Sequence, residues 1–110
     1  MEFPGLKIDQ VEEGDRVRLR VAGELDMASA PLLKRRLELL RDERRAVVLD
    51  LSELEFLDSQ GIHLLCSAMS DSRQDGWHFE VDPDLQLQAK QVLRMVNVYD
   101  HIINDADGTN

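Results

Sequence analysis

The stretch "AVVLDLSELEFLDSQGIHLLCSAMSD", residues 46–71, changes period partway along and so decides the fold. Consecutive β-branched and apolar residues over 46–51 predict a strand covered on more than one side. From 59 to 72 the apolar residues recur at i, i+3, i+4 and i+7, as Ile62, Leu65, Cys66 and Met69, and predict an amphipathic helix. "WHFEV", 77–81, follows the turn at "QDG" and predicts a second strand, parallel to the first if the helix between them is a crossover.

Working backwards, residues 6–12 and 16–22 predict a hairpin turning at Gly14 and Asp15. In the second of these strands Val17, Leu19 and Val21 alternate with Arg16, Arg18 and Arg20, the pattern of a sheet with one packed and one wet face. A helix over 29–42 follows, with Ser29 as N-cap and Pro31 in its first turn. Its core stripe is Leu33, Leu37 and Leu40, widened by Leu32 and Leu39. Working forwards, a third helix is predicted over 84–96, entered through Asp82 and Pro83, with Asn97 at its left-handed end. A short turn or strand at "VYDHIIN" precedes a polar tail, 105–110. The order β-β-α-β-α-β-α predicts a single α/β domain, core 6–104, with a mixed sheet of four or five strands and helices mainly on one face.

The turn from the central strand into the following helix holds Asp58, Ser59, Gln60 and Gly61. Ser and Asp are both favoured N-caps, their side-chain oxygens accepting orphan N–H groups of the first turn. One acid suffices for that task, so Ser59 is either a redundant cap or a hydroxyl presented outward. Gly61, without a Cβ, allows another chain or a bulky group to approach the helix start.

The 110 residues carry a formal net charge of −9, which opposes nucleic acid as a partner because phosphate binding requires clustered Lys and Arg. Six basic residues do cluster, at Lys34, Arg35, Arg36, Arg41, Arg44 and Arg45. They are expected to form a solvated helix face paired with Glu38, Asp42 and Glu43. No apolar run approaches the ~20 residues of a bilayer crossing, and the first ten residues lack the features of a secretory signal, so a cytoplasmic protein is expected. Cys66 is the single cysteine and is expected to be a buried small hydrophobe. His63, His78 and His101 are too far apart to suggest zinc, and no glycine loop suggests a nucleotide. No metal or cofactor is therefore expected.

Two motifs, Gly23-Glu24-Leu25-Asp26 and the apolar strand running into Leu57-Asp58-Ser59-Gln60-Gly61, together with the hairpin and the C-terminal helix, resemble the STAS domain of bacterial anti-sigma factor antagonists. The resemblance covers roughly residues 6–104. It implies that Ser59 is the phosphate acceptor, Asp58 its neighbouring acid and Asp26 the acid of the facing loop. Partner contacts would then involve Glu24, Asp26, Asp58, Ser59, Gln60 and Gly61. It further implies a binding protein that, unphosphorylated, holds a cytoplasmic anti-sigma factor, itself a serine kinase, and frees a sigma factor. A phosphatase reverses the modification. Gln60 departs from the small Ser or Thr that many members carry after the acceptor.

A phosphate on Ser59 adds about −1.5 to −2 charges at a helix N-terminus, where the dipole and free N–H groups are expected to stabilise it. Catalysis by Ser59 would need a nearby base and an oxyanion hole, and "DSQG" is not a nucleophile elbow. No enzymatic activity is expected. An alternative keeps the fold as a scaffold subunit of a stress-signalling or membrane-transport complex, contacted through the third helix or the basic segment. A second copy of the chain is carried as a further candidate partner.

Overall fold

A computed structural model describes residues 5–104; the polar tail predicted at 105–110 lies outside them. In chain order the elements are β1 (Leu6–Glu13), β2 (Arg16–Leu25), α1 (Ala30–Asp42), β3 (Ala46–Leu57), α2 (Ser59–Asp75), β4 (Phe79–Val81) and α3 (Leu87–Met95). A π-helical turn, Asp100–Asn104, follows. The four strands form one sheet in the order β1-β2-β3-β4. β1 runs antiparallel to β2, while β2, β3 and β4 are parallel. Because the sheet grows in one direction from β2 to β4, right-handed crossovers put α1 and α2 on the same face. All three helices contribute to one buried cluster, joining Leu19, Leu49, Leu33, Leu65 and Leu93.

β3 is twice as long as the apolar run that predicts it. Its residues buried in the core cluster are Val47, Leu49 and Leu51, then Leu54 and Leu57, so the spacing widens from two to three. Two register shifts against β2, between Arg20 and Ala22 and between Gly23 and Glu24, absorb the extra residues. Each bulge resets which face a side chain takes, so simple alternation stops at residue 51 although the strand continues. β2 likewise runs on through Gly23, where φ is +99° and a Cβ would lie 2.0 Å from the Gly5 carbonyl oxygen. Only glycine fits there.

Several local expectations are revised. Leu39 is exposed, on the flank of the stripe formed by Leu33, Leu37 and Leu40. α3 starts three residues later than its periodicity suggests, because the Asp82 carboxylate accepts the Asp84 N–H at 3.0 Å in a non-helical turn. Asn97 does adopt the expected left-handed conformation, with φ of 67°. The basic segment pairs across elements rather than along its own helix: Arg41 reaches Asp71 at 3.2 Å and Asp75 at 3.8 Å on α2, and Arg45 bonds Glu12 on β1.

The sheet's outer face is wet and charged. Arg18 meets Glu13, Asp50 and Asp82 at 2.9, 3.1 and 3.0 Å, and Arg16 meets Glu80 at 3.2 Å. Val48, between Arg18 and Glu80 in the register, is nevertheless buried beneath this network.

Candidate functional site

Parallel pairing brings the C-terminal ends of β2 and β3 together, with Leu25 opposite Leu57. Both chains then turn into helices, so the starts of α1 and α2 lie side by side. The Asp58 N–H donates to the Leu25 carbonyl at 3.1 Å and ties the two turns.

Asp58 caps α2. Its Oδ1 accepts the N–H groups of Gln60 and Gly61 at 2.9 and 3.0 Å, while its Oδ2 accepts the Met27 N–H across the site at 3.0 Å. One carboxylate therefore closes a helix end and clamps the β2–α1 loop to it. The other loop acid behaves similarly. Asp26 Oδ1 accepts the N–H groups of Ala28 and Ser29, both at 3.0 Å, and the Asp26 N–H donates back to Ser29 Oγ at 3.0 Å. That reciprocal pair is a capping box, with Asp26 as the cap. Ser29, the expected N-cap, is helical in backbone and buried, its hydroxyl 2.8 Å from the Glu24 carbonyl. Ser29 thus keeps the expected N-cap position but makes no side-chain cap; that hydrogen bonding comes from Asp26, in the turn that precedes the α-helix proper.

With both acids engaged by backbone, Ser59 occupies the first position of α2 and is exposed, beside exposed Gln60. Glu24, at the end of β2, is also exposed. Gly61 is buried, and the reason for it differs from the expected one: a Cβ there would meet Leu57 Cδ1 at 2.7 Å and Leu25 Cγ and O at 2.9 Å. Its missing side chain lets α2 approach this chain's own β2, not a foreign molecule. The expectation of free N–H groups for a phosphate is also revised. Those of Gln60 and Gly61 go to the Asp58 carboxylate, and that of Ile62 to the Asp58 carbonyl at 3.0 Å.

Two apolar side chains at this end escape the sequence reading. Met27, 72% exposed, is held by the clamp from Asp58. Phe56, 43% exposed, pairs with Glu24 and points to the outer face. The signal for Met27 is an apolar residue inside the polar run "LDMASA"; Phe56 faces outward only because of the second bulge. A hollow of about 530 Å³ opens at the other end of the sheet, between Arg16, Ala46, Ser72 and Trp77.

Cys66 is part-buried, and burial pushes its thiol above the usual value. Among the described residues there is no cluster of His, Cys, Asp and Glu able to hold a metal, and no helix long and apolar enough to cross a membrane.

The chain is similar in structure to an anti-sigma factor antagonist from Mycobacterium paratuberculosis, with a TM-score of 0.71 and 22% identity over 92% of this chain and 90% of that one. It is similar also to the anti-sigma factor antagonist SpoIIAA in its unphosphorylated form, with a TM-score of 0.63 and 15% identity over 82% of each chain. These likenesses establish the fold: the same small α/β domain, here with a four-stranded mixed sheet. A family model described as Mlab, STAS domain matches residues 8–101, which span β1 to the π-helical turn and contain both helix starts. By that match, on the fold and motifs just described, the chain belongs to the STAS domain family.

Proposed function

We propose that the chain is an anti-sigma factor antagonist switched at Ser59. Unphosphorylated, it docks through the β2–α1 loop and the start of α2 onto a cytoplasmic anti-sigma factor that is also a serine kinase, and so frees a sigma factor. Phosphorylation of Ser59 ends the docking and a phosphatase restores it. The observation that carries this reading is an exposed hydroxyl on a rigid frame, flanked by two acids whose carboxylates are already engaged by backbone. Two structurally similar proteins described as anti-sigma factor antagonists support it. The open surface with Met27 and Phe56 suits a protein partner better than a small molecule.

The energetics favour a switch of binding over one of folding. Losing a thousandfold in affinity requires about 4 kcal/mol, which one desolvated, unpaired charge in an interface supplies. Within the domain the phosphate stays in water, near a helix dipole that favours it and beside an Asp58 carboxylate that does not. Those two effects are each below about 1 kcal/mol at an exposed site. The hydroxyl is thus an acceptor of phosphate, not a catalytic nucleophile; esterase turnover lost in Ser59→Ala would contradict this.

The test mixes the chain with its kinase and ATP and maps the phosphate by mass spectrometry. Label is expected on Ser59, and label elsewhere, or none, refutes the reading. Ser59→Ala should bind constitutively and Ser59→Asp at least about a hundredfold more weakly, roughly 2.7 kcal/mol. Both should unfold within about 0.5 kcal/mol of the unmodified chain.

A second reading, a scaffold subunit of a signalling or transport complex without the phosphoserine, draws on α3. Leu87, Met95 and Val96 are exposed there, Met95 at 83%. Substitutions on α3 that abolish partner binding while Ser59→Asp leaves it intact would favour that reading.

A further inference from the structure

The cap geometry creates a problem for any phosphate on Ser59. A helix N-terminus ordinarily offers an anion its first-turn N–H groups. Here Asp58 holds those of Gln60, Gly61 and Ile62. The same carboxylate places a negative charge beside the serine. With those N–H groups engaged, a phosphate on Ser59 draws further donors from side chains, and helical spacing limits which ones can reach.

His63 lies four residues after Ser59 on α2, and both are exposed. Side chains at i and i+4 are surface neighbours, and an anion N-terminal to a cation is the more favourable order. Ile62, at i+3, is apolar and packs against the core. The other charged groups facing α2 are accounted for. From α1, Lys34, Glu38 and Arg41 line the groove against Leu64, Ser67 and Asp71, and Arg41 is already paired with Asp71 and Asp75. From the C-terminal turn, His101 lies 3.3 Å from Arg73, well down the helix. From the strand ends and the facing loop, the ionisable neighbours are Asp26, Glu55 and Asp58, all acids.

We propose that His63 is the cation that receives a phosphate placed on Ser59 and holds it against the outward face of α2. The inference rests on the reading of Ser59 as the modified residue. It adds a positioning role for a side chain that makes no hydrogen bond or ion pair among the described residues of the unmodified chain. Phosphoserine loses its second proton near pH 6, so a neighbouring cation is read out by how far it favours the dianion.

The experiment uses the full chain with phosphoserine genetically encoded at position 59, so it does not depend on any kinase. The phosphate is titrated by ³¹P NMR. A paired cation favours the dianion, so its titration midpoint should lie about half a pH unit lower than in His63→Gln. That difference should shrink as salt is raised to about 1 M. Coincident midpoints in the two proteins would overturn the proposal. A midpoint that moves in Lys34→Gln but not in His63→Gln would also overturn it, because it would assign the phosphate to α1. Failure of a kinase to label Ser59 bears on the proposed function alone, because the encoded phosphoserine tests the pairing regardless.

Discussion

On the outer face of the sheet, Glu13, Asp50 and Asp82 converge on the Arg18 guanidinium; at the C-terminal ends of β2 and β3, Asp26 and Asp58 converge on backbone N–H groups. Both regions are acid-rich, and in both the carboxylates have partners within the chain. In the first, opposite charges meet and the result is a closed network spanning β1, β2, β3 and the residue after β4. In the second, the partners are neutral N–H groups, so the negative charge remains while the loops are fixed. The comparison shows how one sequence builds a surface that is finished and another that is rigid but still available. Ser59 and Met27 stand exposed at the second because nothing in the chain needs them there.

Removing the acid at the rigid end should have the largest effect. Asp58→Ala deletes the cap for Gln60 and Gly61 and the clamp on Met27 together, and is expected to destabilise the domain by about 2–3 kcal/mol in urea unfolding. Asp58→Asn keeps one acceptor oxygen and should recover roughly half. If Asp58→Ala unfolds like the parent chain, the clamp is not structural and the contrast between the regions fails.

Breaking the closed network should matter less, and in a pH-dependent way. Partial burial pushes the Asp50 carboxyl up, but the Ser52 hydroxyl and N–H, together with Arg18, outweigh it and hold the group below the usual carboxylate range. A carboxyl with a depressed folded pKa contributes stability above its unfolded value, about 3.9, and loses it as pH falls through the folded value. Arg18→Met should therefore cost about 1–2 kcal/mol at pH 7, because it leaves Asp50 and Asp82 unpaired. The gap to the parent chain should narrow as pH falls below about 4 and on through the lower folded value of Asp50, where its carboxylate takes up a proton. Urea midpoints at both pH values check the sign.

The smallest effect sharpens the comparison from outside either region. Arg44 ends α1 with φ of 57°, a left-handed conformation that glycine adopts more easily. Among the described residues its side chain makes a single polar contact, to the Asp75 carbonyl at 3.4 Å. Arg44→Gly should raise stability by about 0.5 kcal/mol, or ~2–4 °C in Tm, because the relief of backbone strain exceeds the lost contact.

Much of this was legible beforehand. The hairpin, the three helices and the parallel crossover follow from the periods of Val17-Leu19-Val21, Leu33-Leu37-Leu40 and Leu65-Met69, because periodic burial is a local property of strand and helix geometry. The site's position at a strand-to-helix turn follows too. The direction of Phe56 did not, since it depends on bulges set against β2; the Asp26–Ser29 capping pair is local, and its signal is the acid three positions before Ser29.

The sequence by itself determined which segments become strands and helices, and that a small hydroxyl stands at the start of α2. Local spacing and side-chain chemistry suffice for that. Only the tertiary structure decided that Asp58 would join two turns and that Gly61 would seat α2 against β2. Both outcomes depend on atoms brought together from segments more than thirty residues apart, whereas the cap of Asp58 on the Gln60 and Gly61 N–H groups is local.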